Sequence, residues 1–126
     1  MNNDPKVDKA QRRVNEIQKL YREWVELVPT LEQADKAWAR AIEIMRQIEK
    51  FYFHGEYNQV HQLMDSGVDL DLRTPGEYSV MGEDTIWNAT GEMQSMAWLR
   101  LRSAIAYLDQ RPDENTDNEP DEREQP

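Results

Sequence analysis

Three groups of side chains in this sequence are of types that could do chemistry. Asp65, Asp69, Asp71 and Glu77 put four carboxylates on one short stretch, and clustered oxygens of that kind can take a hard cation. They lack a D-x-D-x-D-G run, and the step to Glu77 is not that of a calcium-binding loop, so the stretch reads as a solvated acidic loop. His54 and His61 are the two histidines. A zinc-binding pair on a helix stands four residues apart. These stand seven apart, with Gly55 between them and no third ligand at a fitting spacing, so they read as surface or packing residues. The third group is Glu83 and Asp84, together with Tyr52, Tyr57, Arg73 and Trp87.

Adjacent acids at a helix start point about 100° apart, so Glu83 and Asp84 need not share a proton or a metal. They read first as acids that favour a helix N-terminus. The alternative is a polar site in which Arg73 pairs with one of them. Tyr52, Tyr57, Arg73, Glu83, Asp84 and Trp87 are therefore the candidate interaction or polar site. No nucleophile-and-base pair is visible, there is no cysteine, and no glycine-rich loop could cradle a phosphate. No catalytic residue, cofactor or metal is assigned, and the chain is not read as an enzyme. Trp24, Trp38, Trp87 and Trp98 lack basic surroundings and read as core and interface residues rather than a stacking platform for bases.

The element that must position these residues is the stretch Thr30–Tyr57. Leu31, Ala34, Trp38, Ala41, Met45, Ile48 and Tyr52 recur at steps of three and four, the spacing of one helix face. Thr30 and Gln33 have the form of a capping box, and Gly55 offers a stop after the cluster Phe51-Tyr52-Phe53-His54. Before it, Val7, Ala10, Val14, Ile17, Tyr21, Trp24 and Val28 form a second stripe, with Pro5 at a first helical position. Such a helix must pack on something. Pro29 leaves two routes open. A tight helical hairpin turns at Val28-Pro29-Thr30. A kinked long helix instead keeps Val28, Leu31, Trp38, Met45 and Tyr52 in one heptad register, and needs a second chain to cover it.

Further on, Glu56–Met64 suits a short helix, Asp65-Ser66-Gly67 ends it, and Val68–Tyr78 reads as an ordered loop around the turn signal Pro75-Gly76. Gly82-Glu83-Asp84 opens a last helix to about Asp109, with Ile86, Thr90, Met93, Ala97, Leu101, Ala104 and Leu108 on one face. Gly91 within it suggests a close helix–helix approach. The fold class is all-α: helical hairpin or kinked long helix, then a C-terminal helix. Residues 1–110 read as a helical domain and 111–126 as a disordered acidic tail.

Charge and composition narrow the function. The net charge is −10 over 126 residues. Eight acids and two bases fall from Asp109 to Pro126, and seven acids and one base in residues 55–84. An acidic surface disfavours direct nucleic-acid binding and suits a protein partner, including a basic one. No apolar run is long enough for a membrane span, no secretory leader is visible at the N-terminus, and the lack of cysteine points to no oxidising compartment, so the expectation is a cytoplasmic protein.

These residues resemble a family of small bacterial proteins classed as a domain of unknown function. Val14–Tyr21 (V-N-E-I-Q-K-L-Y) is similar to the family's first helix, and Phe51-Tyr52 to its Tyr-Tyr pair, with Tyr57 where a Trp would stand. Leu72-Arg73 and Ser79-Val80-Met81-Gly82-Glu83-Asp84-Thr85-Ile86-Trp87 resemble its terminal motif, Gly-Val-Leu-Ser-Glu-Asp-x-Ile-Tyr. Gly82 stands at the family's serine, Val60 where an acid is frequent, and T-P-G-E-Y is an insertion. The resemblance implies a fold and a bacterial origin, and no activity. The functional expectation is a helical protein that acts by protein–protein interaction and forms a homodimer through its N-terminal helices. Two alternatives stand beside it. One is an acidic antagonist of a basic or nucleic-acid-binding protein, such as an antitoxin, an immunity protein or a nucleic-acid mimic. The other is a small-ligand binder or enzyme using Tyr52, Tyr57, Arg73 and Glu83.

Overall fold

The computed structural model describes residues 4–110; the expected acidic tail, 111–126, lies outside them. Three helices follow one another: α1 (Pro5–Phe53), α2 (Glu56–Asp65) and α3 (Thr85–Asp109), with no strand among the described residues. The fold is all-α, with one long helix.

The start of α1 is built by Asp4. Its carboxylate Oδ1 accepts from the Lys6 N–H at 2.9 Å, and its carbonyl accepts from the Val7 and Asp8 N–H groups. Pro5 follows at the first helical position, where its missing donor costs nothing. The sequence contains this cap, although the stretch before Lys6 carries no apolar pattern to mark it.

Pro29 lies inside α1, so the hairpin route is not taken. Thr30 and Gln33, expected to cap a new helix, are interior residues of the same one. A proline here removes a single donor, the one that would reach the Val25 carbonyl, at a cost of about 3 kcal/mol. Against that stands the common register of Trp24, Val28, Leu31 and Trp38 on both sides of it. A turn at Pro29 would divide that one face in two.

The chain divides into two compact units, Met1–Arg46 and Gln47–Pro126. In the first, the described chain is α1 alone, and none of its residues is buried. Arg13 pairs with Glu16 at 3.0 Å and Arg40 with Glu43 at 3.3 Å, both exposed (i, i+3) pairs. Such pairs are worth only a few tenths of a kcal/mol.

In the second unit, the end of α1 stops at Gly55, whose φ of 103° is the left-handed conformation open to glycine. The end of α2 is a Schellman motif: the Val68 N–H donates to the Leu63 carbonyl and the Gly67 N–H to that of Met64, each at 3.1 Å. Residues 68–84 contain no helix or strand. Pro75-Gly76 makes the expected turn, the Glu77 N–H donating to the Thr74 carbonyl at 3.0 Å, with Gly76 at φ 82° as a type II turn requires.

A second turn, Ser79–Gly82, delivers the chain to α3. It is closed by the Gly82 N–H on the Ser79 carbonyl at 2.9 Å and by the Met81 N–H on Ser79 Oγ at 3.1 Å. The helix expected from Gly82 begins at Thr85, because this turn occupies the preceding residues. Met81 and Ile86, on either side of that junction, are the two buried hydrophobic residues among those described, at 8% and 3% exposure.

Proline therefore weakens α1 without dividing it. Replacing Pro29 with alanine is expected to raise thermal stability, by up to about 3 kcal/mol, with helix content by circular dichroism unchanged or higher. A lower melting temperature would mean that Pro29 marks a turn.

Candidate functional site

Tyr57, near the start of α2, is the centre around which the candidate residues can be placed. Its ring meets Tyr52 at 4.8 Å between centroids, Phe51 edge-on at 6.0 Å and the His61 ring at 5.1 Å. Tyr52 in turn meets Phe53 edge-on at 4.9 Å. Edge-to-face contacts of this kind add about 0.5–1.5 kcal/mol each beyond the area they bury. The Gly55 stop makes the cluster possible. It ends α1 directly after Phe51-Tyr52-Phe53 and lets α2 bring Tyr57 and His61 back to the same rings.

The Tyr57 hydroxyl points at the Ser79–Gly82 turn. It donates toward the Met81 carbonyl at 3.4 Å and the Gly82 carbonyl at 3.5 Å. Both distances are long for a hydroxyl donor, so they fix direction more than they add energy. Gly82 packs closely there: a Cβ would sit 3.1 Å from the Ser79 carbonyl oxygen and 2.8 Å from Thr85 Oγ1, so a larger residue would have to displace both. That close approach, rather than a helix cap, is what glycine supplies at this position.

The other candidate residues are not gathered at Tyr57. Arg73 is 88% exposed and binds its own neighbour, donating from Nε to Asp71 Oδ1 at 3.0 Å and from Nη2 to Oδ2 at 3.3 Å. Its backbone N–H also donates to Asp71 Oδ1 at 3.0 Å. The expected pairing of Arg73 with Glu83 or Asp84 is therefore replaced by a local one, two residues apart. A two-residue loop step satisfies the guanidinium without ordering the rest of the loop.

The Arg73 side-chain bond, and then its backbone N–H, hold the Asp71 carboxyl below its ordinary range, and the same contact raises Arg73. Any stability from a lowered carboxyl is present above the ordinary value and lost as pH falls through the lowered one. On so exposed a pair, solvent screens that contribution.

Glu83 and Asp84 line a separate hollow of about 640 Å³ with Tyr78, Asn88 and Glu92. Asp84 is the N-cap residue of α3 by its backbone, its carbonyl accepting from the Asn88 N–H at 2.8 Å, yet its carboxylate makes no capping bond. Trp87, 59% exposed, faces a different hollow of about 450 Å³ with Glu49, Phe53 and Gly91. A Cβ on Gly91 would meet nothing within 4 Å, so the close helix approach expected there is absent. Among the described residues, no three His, Cys, Asp or Glu side chains are grouped to hold a metal ion. What the arrangement offers chemically is an aromatic cluster and a tyrosine hydroxyl on two carbonyls. Reading the sequence for reactive groups missed Met81, whose only signal is an apolar residue inside a turn.

A family model described as a domain of unknown function, DUF4298, matches residues 14–103. It takes in most of α1, all of α2 and α3 as far as Ser103, with all six candidate residues. No curated protein and no solved structure matches the chain.

The geometry separates Tyr57 from Arg73 by magnitude. Tyr57→Ala is expected to destabilise the fold by on the order of 2 kcal/mol, less than a fully buried aromatic because the ring is half-covered. Tyr57→Phe should lose little, and Arg73→Ala should leave the melting temperature unchanged while the Asp71 carboxyl titrates closer to its ordinary value. A large loss in Arg73→Ala, measured by thermal denaturation, would show that the loop depends on that residue after all.

Proposed function

The chain belongs to the family of the domain of unknown function DUF4298, and we propose that it works by protein–protein contact rather than by catalysis. The contact surface is the apolar stripe of α1 in the first unit. One observation carries this: Val7, Val14, Ile17, Leu20, Tyr21, Trp24, Val25, Leu27 and Leu31 are each 45–58% exposed on a helix with no buried residue. That exposure is what a helix leaves when only its own neighbouring turns cover a side chain.

Full burial of such a side chain is worth about 1.5–3 kcal/mol. With about half of each still to be covered, the nine together could contribute about 7–13 kcal/mol. Association costs about 4–15 kcal/mol, so the two are of the same order. A partner must therefore engage most of the stripe, which suits another helix laid along it. The reading of a small-ligand or enzyme site loses support from the geometry, since Arg73 and Glu83 are not brought to Tyr57. No described helix is long and apolar enough to cross a membrane, so the stripe is not read as a span.

A photo-reactive amino acid tests the surface directly. Placed at Tyr21 or Leu31 in the full chain, it should give covalent protein adducts in cells on irradiation. Placed at Arg12 or Glu26, off the stripe, it should give few. Equal adduct yields at all four positions, or none at any, would contradict the proposal.

A further inference from the structure

The charge along α1 says what kind of helix fits the stripe. Residues 6–22 carry six bases (Lys6, Lys9, Arg12, Arg13, Lys19, Arg22) and two acids, for a net +4. Residues 23–35 carry four acids (Glu23, Glu26, Glu32, Asp35) and no base, for a net −4. The apolar stripe runs through both segments without a break, since α1 is continuous across Pro29. A uniformly basic or uniformly acidic partner would match one half and be repelled by the other. A helix with the same two halves in reverse order matches both.

We infer that the partner on this stripe is a second copy of the chain, laid antiparallel, with the basic segment of each copy over the acidic segment of the other. The inference rests on the proposed contact role of α1 and names its occupant. In an antiparallel pair, the two alternating apolar positions of one helix face those of the other in the opposite order. The register that also superimposes the +4 and −4 segments places Val14 level with Leu31 of the second copy, Ile17 with Val28 and Tyr21 with Trp24. In the same register Asp35, on the apolar face itself, comes level with the small Ala10 of the second copy. A parallel pair in register would instead set Asp35 on Asp35 on the apolar face itself, and basic segment beside basic segment. Like charges so placed are unfavourable.

The chain has no cysteine, so single introduced thiols report the arrangement without background. Val14→Cys and Leu31→Cys variants of the full chain are mixed and oxidised gently, and each is also oxidised alone. The antiparallel pair is expected to form the mixed disulfide at least tenfold faster than either variant joins itself. In a parallel pair the two thiols would be 17 residues out of step, about 25 Å along the helices. A disulfide needs Cα atoms about 4.4–6.8 Å apart. Sedimentation of the unmodified chain should show twice the mass of one chain, and strong salt should weaken the association because the charges are exposed.

Faster self-joining of Val14→Cys would overturn the antiparallel arrangement. A single-chain mass at high concentration, with no disulfide in any combination, would overturn self-pairing itself. Photo-adducts to other proteins from Tyr21 or Leu31 would then leave the contact surface standing with a different occupant. Absence of those adducts as well would remove both.

Discussion

Apolar side chains must be taken out of water, and in this chain the cover for them is unevenly distributed. In the second unit, the Tyr57 ring gathers Phe51, Tyr52 and His61, and its hydroxyl reaches the turn that carries Met81. Everything that locates the start of α3 follows from that turn: the Ser79 hydroxyl and carbonyl that close it, and the glycine that fits against the Ser79 carbonyl. In the first unit, none of the described residues is buried. The α1 segment there meets the local conditions for a helix, with a capped start, ion pairs along its surface and few residues of poor propensity. None of the favourable terms exceeds a few tenths to about 1 kcal/mol, less than the cost of Pro29, and tertiary burial is what ordinarily stabilises a helix.

That contrast explains which features could be read from the residues alone. Helical periodicity gave α1, α2 and α3 nearly to their ends, because their apolar positions repeat at three and four regardless of what covers them. Gly55 and Pro75-Gly76 were equally legible, since a positive φ narrows the choice of residue. Pro29 was not. The same proline suits a hairpin and the interior of a long helix, and the difference lies in whether one continuous face outweighs one missing hydrogen bond.

The candidate site was legible only in part, for a related reason. Tyr52 and Tyr57 come together because a helix stop and a short helix fix the distance between them. Arg73 was expected at the start of α3 because it is the basic residue nearest in sequence, but Asp71 lies closer along the chain and a two-residue step suffices to bind it. Met81 carries no periodic signal, and its burial follows from a turn closed by Ser79. Gly82 stands where the resemblance has a serine, and what its lack of a Cβ gives the turn is a close approach to the Ser79 carbonyl.

The unevenness of cover has a direct consequence for local stability. Segments closed by their own contacts exchange amide hydrogens slowly whatever the protein concentration, whereas a helix held by a partner is protected only as far as the partner is bound. Residue-resolved hydrogen exchange over a hundredfold range of concentration measures this most directly. The expected result is that protection of residues 7–35 rises with concentration, while that of residues 56–64 and 86–93 stays constant. Protection of residues 7–35 that is strong and independent of concentration would contradict the claim that α1 depends on a second molecule for its cover.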